Sequence, residues 1–140
     1  MQFEPSLVPE LIVFDFQKSL NFYTKILGFK IEYDRPEKKF ALLSFGNSQL
    51  MINQRNGVWE TDKLEYPLGR GVNFQIECSN VDLLIEKLKN NNFELFQEVE
   101  ENWYRKDNKE LGNREFLVQD PDGYLLRFAQ NLGERNIILD

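Results

Sequence analysis

The feature that most constrains the fold of this chain is an order of elements that occurs twice. In the first half, "VPELIVF" (8–14) is an apolar, β-rich run, and the stretch after Asp15 places apolar residues at helical spacing. Asp15 is a suitable N-cap for that helix, and Gly28 a suitable residue to end it. Three more runs have strand character: "FKIEYDR" (29–35), "KFALLSFG" (39–46) and "QLMINQ" (49–54). The first half therefore predicts the order β-α-β-β-β.

The second half repeats this order. "GVNFQIEC" (71–78) is a strand pattern, Asn80 is a plausible N-cap, and the helix ends at "NNN" (90–92). The predicted helix has an apolar face made of Val81, Leu84, Ile85 and Leu88. Three predicted strands follow it, at 93–104, 114–120 and 124–130.

The repetition predicts one α+β domain with an internal duplication. We expect two βαβββ repeats, 7–54 and 71–130, to form two curved mixed sheets with a helix on the outer face of each. The polar segment 55–70, which holds Trp59, is predicted to connect them, and residues 131–140 are predicted to be a tail.

Composition limits the class of partner. The chain is 41% hydrophobic and 29% charged with a net charge of −6, which is typical of a globular protein that does not bind nucleic acid and favours a neutral or cationic partner. Its one cysteine, Cys78, excludes an internal disulfide. The first ten residues lack the pattern of a signal peptide, and no apolar run is long enough to span a bilayer. We therefore expect a cytoplasmic protein without a membrane partner.

The chain contains no histidine. This excludes a His-ligated zinc, iron or nickel site and any Ser-His or Cys-His nucleophilic pair. A site for a hard cation made of carboxylates alone remains open.

An arginine stands at the centre of an apolar strand, "YLLRFAQ" (124–130). Strand alternation places Leu126 and Phe128 toward the predicted helix, so Arg127 faces the other way. In the strand 71–78 the same reasoning turns Asn73, Gln75 and Glu77 away from the helix. These side chains either line a site or face solvent, since antiparallel sheets often have one wet face.

Two stretches carry a resemblance to a known superfamily. "VPELIVFDFQKSLNFYTKILGF" and "GNREFLVQDPDGYLLRFAQ" resemble the ends of bleomycin-resistance proteins, which belong to the vicinal oxygen chelate superfamily with the glyoxalases and extradiol dioxygenases. The resemblance covers about residues 7–131 and implies the same duplicated fold.

The resemblance also bears on metal binding. Metalloenzymes of the superfamily carry four inward ligands, typically His and Glu. In this sequence those positions fall on poor or impossible ligands: Pro9, Ile52 or the adjacent Asn53, Asn73, and Arg127. The resemblance therefore implies the metal-free, non-catalytic branch, with no cofactor. A glyoxalase- or dioxygenase-like enzyme with an unrecognised carboxylate site, and a protein that binds another metabolite, remain alternatives.

Members of that branch are homodimers that hold a cationic glycopeptide in an aromatic groove. The resemblance thus implies a homodimer that sequesters a bleomycin-class ligand. The predicted ligand-binding residues are Tyr33, Phe40, Trp59, Asn73, Gln75, Trp103, Tyr104 and Arg127. Two alternatives accompany this set: strand aromatics such as Tyr33 and Phe40 often pack in a core, and Arg127 could form an ion pair with Glu77 or Glu115.

Overall fold

The computed structural model describes residues 4–137 and divides the chain into two compact units. The first comprises the chain up to Val72 together with Gln119–Tyr124, and the second comprises Asn73–Val118 and the chain from Leu125 onward. Within residues 4–137, no helix has both the length and the apolar character that a bilayer crossing needs.

The first unit is built on a four-stranded mixed sheet. Its strands are β1 (Glu10–Val13), β2 (Lys30–Arg35), β3 (Phe40–Phe45) and β4 (Ser48–Gln54), in the order β1-β4-β3-β2. Strand β1 runs parallel to β4, and the other pairs are antiparallel. A short 3-10 helix (Pro36–Lys38) joins β2 to β3. The predicted β-α-β-β-β order is confirmed.

Helix α1 (Phe16–Asn21) begins where the sequence predicts, and the helical segment that continues it stops at Ile26, just before the predicted end at Gly28. The Asp15 carboxylate accepts a hydrogen bond of 3.2 Å from the backbone N–H of Lys18, and Gly28 has a φ of 90°, which glycine adopts without strain. The helix differs from the prediction in continuing after Asn21 as a π-helical turn (Phe22–Ile26). Phe22 and the residue after it, Tyr23, are both buried there.

The second unit repeats the arrangement. Its elements are β5 (Asn73–Glu77), α2 (Val81–Asn90), β6 (Gln97–Lys106), β7 (Lys109–Gln119) and β8 (Leu125–Asn136). The strand order is β5-β8-β7-β6, with β5 parallel to β8. As predicted, the Asn80 side chain caps α2, accepting a 3.2 Å hydrogen bond from the N–H of Leu83.

Each sheet has one face that packs toward its helix. Buried side chains on that face include Leu43 and Ile52 in the first unit and Phe116, Leu126 and Phe128 in the second. We call the opposite face of each sheet its open face. Because side chains alternate along a strand, every second residue of these strands lies on the open face.

Strand β8 extends beyond its predicted end at residue 130, so the predicted tail is wrong over 131–136. Arg135 Nε lies 3.1 Å from Glu110 Oε1, and Glu134 lies 3.7 Å from both Lys106 Nζ and Lys109 Nζ. The apolar pattern of the sequence stops at residue 130. The strand nevertheless continues, because β8 is hydrogen-bonded to its neighbour β7 and its charged side chains pair with residues of β6 and β7. Residues 138–140 of the predicted tail lie outside the described residues.

The turn "DPDG" at 120–123 packs in the first unit, although it connects two strands of the second sheet. Oδ2 of Asp122 accepts a 3.2 Å hydrogen bond from the buried Ser19 hydroxyl, and its Oδ1 accepts from the N–H of Phe14 at 3.4 Å. The Tyr124 hydroxyl donates to the Ile12 carbonyl at 2.8 Å. This motif therefore has a structural role in holding β1 and α1.

Candidate ligand-binding site

The open face of the first unit carries an aromatic cavity of about 380 Å³. The rings of Tyr33 and Phe40 lie 6.2 Å apart between centroids, tilted by 34°. Phe40 is buried, whereas Tyr33 is 45% exposed and Trp59 is 83% exposed. The cavity is lined by Glu10, Tyr33, Arg35, Lys38, Phe40, Met51, Asn53, Asn56 and Trp59.

An arginine covers the floor of this cavity. Arg35 is the cross-strand partner of Phe40, and the 3-10 helix after Arg35 reverses the chain between them. The guanidinium carbon of Arg35 lies 4.6 Å from the Phe40 ring centroid and 5.5 Å from that of Tyr33. These are cation–π distances, so the two rings hold the charge of Arg35 in the cavity.

The backbone positions Trp59 at the cavity. Its φ of 58° is uncommon for a residue with a bulky side chain and marks a constrained loop. Glu60 holds that loop: its carboxylate accepts a hydrogen bond from the N–H of Gly57 and lies 3.5 Å from Arg55 Nη2. The N–H of Val58 donates to the Asn56 side chain at 2.9 Å. The backbone that carries this exposed tryptophan is thus constrained.

A β-bulge brings a carboxylate to the same face. The register of β2 against β3 shifts between Ile31 and Tyr33, so the consecutive residues Glu32 and Tyr33 share the open face. Oε1 of Glu32 accepts a 2.7 Å hydrogen bond from the Ser44 hydroxyl. Tyr33 and Glu32 line a second cavity of about 520 Å³, together with Glu4, Pro5, Leu42, Ser44, Gly46, Asn47 and Gln49.

Asn53 lines the aromatic cavity and carries an unsatisfied acceptor that is itself buried. Its Nδ2 donates a 3.3 Å hydrogen bond to Glu10 Oε1, while its Oδ1 is buried without a partner in the part of the chain that the structure describes. Buried polar atoms are nearly always hydrogen-bonded in folded proteins. This acceptor has essentially no accessible surface, so a ligand in the cavity does not reach it in this conformation.

The open face of the second unit holds a polar cluster around Glu115, which is 2% exposed. Arg127 Nε donates to Glu115 Oε2 at 3.0 Å, Asn102 Nδ2 donates to Oε1 at 3.0 Å, and the Tyr104 hydroxyl also donates to Oε1. Burial raises the pKa of the Glu115 carboxyl, but these three donors outweigh it and leave the pKa below its usual value. The hydrogen bond to Glu115 raises the pKa of Tyr104.

The predicted ion pair of Arg127 is confirmed with Glu115 and not with Glu77. Arg127 is the cross-strand partner of Gln75, so both lie on the open face, as strand alternation predicts. Its guanidinium carbon also lies 5.5 Å from the Tyr104 ring centroid. The cluster borders a cavity of about 310 Å³ lined by Gln75, Glu77, Tyr104, Leu111, Asn113, Arg127, Ala129 and Asn131.

The structure places the predicted site residues in three groups. The aromatic cavity of the first unit is lined by Tyr33, Phe40 and Trp59. The cavity of the second unit is lined by Gln75, Tyr104 and Arg127. Asn73 is exposed at the start of β5 and lines neither cavity. Trp103 lies on the opposite face of its sheet from Tyr104.

Trp103 is separated from the open face by strand alternation. It pairs with Gly112, and its ring lies over the space that a side chain there would fill. Arg135 stacks on the ring at 4.0 Å, and Nε1 donates to Glu101 Oε2 at 3.0 Å. Tyr104, the next residue, necessarily points the other way.

Sequence reasoning missed several residues of the first cavity. Arg35 carries a signal that could have found it, because it lies two positions after Tyr33 on the same strand. No sequence pattern links Lys38 or Glu10 to Tyr33, since only the fold brings them to the same cavity.

The positions of the superfamily's metal ligands do not offer a matching donor set. Ile52 faces the helix and is fully buried, Asn53 is bonded to Glu10, and Arg127 is paired with Glu115. Among residues 4–137 there is also no group of three or more His, Cys, Asp or Glu side chains arranged to hold a metal. The residues present therefore do not fit the metal centre of the superfamily's enzymes.

Comparison with known proteins establishes the family. The sequence profile of the glyoxalase/bleomycin resistance protein/dioxygenase superfamily matches residues 7–128, so the chain belongs to this superfamily.

Individual relatives agree with that assignment. Glyoxalase domain-containing protein 4 of Rattus norvegicus is 46% identical over 51 residues, which are 36% of this chain and only 17% of that protein's length. TioX from Micromonospora sp. ML1 is 19% identical with a TM-score of 0.68 over 90% of this chain and 98% of its own. A glyoxalase/bleomycin resistance protein/dioxygenase from Alicyclobacillus acidocaldarius is 19% identical with a TM-score of 0.62 over 94% of both chains. At this identity the two structures show a common fold.

Proposed function

We propose that this protein binds a flat organic molecule on the open face of its first unit and releases it chemically unchanged. The observation that carries the proposal is the placement of Trp59. A ring that is 83% exposed is held by a constrained loop beside Tyr33 and Phe40. Constrained backbone and exposed aromatic side chains together are typical of ligand sites.

Stacking would supply most of the affinity at this site. Phe40 is covered by Arg35, so the rings available to a ligand are those of Tyr33 and Trp59. A well-placed aromatic pair contributes roughly 0.5–1.5 kcal/mol beyond the area that it buries. Because Glu60 already fixes the loop, little conformational entropy is lost when Trp59 closes on a ligand.

Bleomycin-class glycopeptides are the particular ligands that we propose. The net charge of −6 favours the approach of a cation, and the superfamily includes bleomycin-resistance proteins. A cavity of about 380 Å³ is at the small end for ligand sites, so it would hold the flat ring system of such a molecule and leave its remainder outside.

Thermal shift and calorimetry test this proposal. A screen that contains bleomycin, phleomycin and smaller flat compounds should raise the melting temperature with at least one of them. Trp59→Ala should then weaken binding about tenfold, because loss of one stacked ring costs about 1.4 kcal/mol. Trp103→Ala is the matched control, since that tryptophan lies on the other face of the second sheet.

Two results would contradict the proposal. One is a screen in which no compound stabilises the protein, and the other is equal loss of binding in the two tryptophan variants. Mass spectrometry of the recovered ligand separates binding from catalysis, because chemical conversion would support the alternative of a glyoxalase- or dioxygenase-like enzyme.

The homodimer stays a prediction. It follows from the resemblance to bleomycin-resistance proteins, in which a partner completes the groove. Light scattering at micromolar concentration measures the mass directly, and a monomer mass would contradict both the dimer and a shared groove.

A further inference from the structure

We infer that the aromatic cavity of the first unit selects flat ring compounds that carry an anionic oxygen group. This inference rests on the proposed binding of a flat ligand, and it is an alternative to the cationic bleomycin class proposed for the same cavity. The net charge of −6 by itself favours a cationic ligand, whereas the charged side chains that line the cavity favour an anionic one.

The charges that line the cavity are two cations and one acid. Arg35 and Lys38 take part in no ion pair among residues 4–137, although the described part of the chain contains nine such pairs. Glu10 is the one lining carboxylate, and it accepts a hydrogen bond from Asn53. In an acidic protein, two unpaired cations at one cavity favour an anionic ligand there.

The stacking of Arg35 leaves its hydrogen-bonding edge available. The ring of Phe40 lies 4.6 Å from the guanidinium carbon and covers one face of the group. The N–H donors of arginine point outward in the plane of the guanidinium, where they can hold a carboxylate by two hydrogen bonds. No hydrogen bond from these donors occurs among residues 4–137.

Lys38 is held near Arg35 by the turn between β2 and β3. It is the last residue of the 3-10 helix, and the carbonyl of the next residue, Lys39, accepts a 3.0 Å hydrogen bond from the N–H of Gln54 in the sheet. A ligand anion between the two cations would therefore meet groups that the backbone already positions.

Three probes with one ring system and different charges test this inference by calorimetry on the full chain. Indoleacetate is anionic, indoleacetamide is its neutral analogue and tryptamine is cationic, and each retains the ring N–H. We expect indoleacetate to bind about tenfold more tightly than indoleacetamide, and tryptamine to bind most weakly.

Substitutions assign the preference to individual side chains. Arg35→Gln and Lys38→Gln should each weaken indoleacetate severalfold while changing indoleacetamide affinity little. Arg105→Gln and Lys87→Gln are matched controls in the second unit and should have no effect.

The outcomes separate this inference from the proposed function. Equal affinity for the three indoles, lost in Trp59→Ala, would overturn the anion preference and leave the flat-ligand site intact. A preference for tryptamine would overturn the inference and support a cationic ligand. No binding of indoleacetate at millimolar concentration would also overturn it, and the broader ligand screen would then decide the proposed function by itself.

Discussion

The hydroxyl of Tyr23 donates a hydrogen bond of 2.7 Å to Oδ2 of Asp120, a residue 97 positions later in the chain. Both groups are buried in the first unit. Oδ1 of the same carboxylate accepts hydrogen bonds from the backbone N–H groups of Asp122 and Tyr124, at 2.9 and 3.0 Å. This carboxylate therefore fixes the turn at 120–123 both internally and against the helical segment.

Tyr23→Phe tests the strength of this link. The substitution keeps the ring and removes the hydroxyl that donates to Asp120, so we expect it to lower the free energy of unfolding by about 1–3 kcal/mol. Urea denaturation followed by circular dichroism measures the loss. Tyr66→Phe is the control, since Tyr66 is exposed, and a similar loss in both variants would contradict the assigned role.

The pH dependence of stability should report the burial of Asp120. Burial raises the pKa of this carboxyl to about 6 despite the hydrogen bonds that it accepts. A group with a raised pKa in the folded state contributes stability that is fully present below its unfolded pKa of about 3.9. That contribution, about 2–3 kcal/mol for this shift, is lost as the pH rises through 6.

Asp120→Asn removes this titration. We expect the wild-type protein to become less stable between pH 4 and 7, and the variant to lose clearly less over the same window. Glu115 acts in the opposite sense, because its pKa is lowered in the folded state. The stability that it contributes is present above the usual pKa of a glutamate and is lost only as the pH falls below that value. Asp34→Asn controls for the loss of one exposed charge. Identical slopes in wild type and Asp120→Asn would refute the assignment.

Arg127 should act mainly on stability through Glu115. Arg127→Met removes the cation from a carboxylate that is 2% exposed, and we expect a loss of about 1–3 kcal/mol in the free energy of unfolding. Glu115→Gln in the same background should recover part of this loss, since the amide carries no charge. Thermal denaturation of the single and double variants measures the coupling, and simple additivity would show that the pair is not coupled.

Gly112 should tolerate no side chain while Trp103 is present. A Cβ there would lie 2.6 Å from the Trp103 ring, which is closer than packing allows. We expect Gly112→Ala to cost about 1–3 kcal/mol of stability. In a Trp103→Ala background the same substitution should cost much less, because the ring is gone. An equal cost in both backgrounds, measured by urea denaturation, would place the strain elsewhere.

The purified protein should hold no stoichiometric transition metal. The donors at the superfamily's ligand positions are poor, and the chain lacks histidine. Elemental analysis after dialysis measures the content. A metal retained in equimolar amount would overturn the metal-free prediction and favour the enzyme alternative.

Much of the fold follows from the sequence because its determinants are local. Asp15 and Asn80 begin the helices through hydrogen bonds to residues three positions later, and the two-residue period assigns Gln75 and Arg127 to one face. The same period places Trp103 and Tyr104 on opposite faces of β6, so it argues against grouping them in one site.

The tertiary structure alone decided how the site is composed. The bulge beside Glu32, the loop held by Glu60 and the extension of β8 to Asn136 each depend on partners elsewhere in the chain. The unsatisfied Oδ1 of Asn53 is likewise a property of its surroundings. Sequence periodicity fixes which face of a strand a side chain occupies, but only packing fixes which distant groups share that face and which polar atoms remain unpaired.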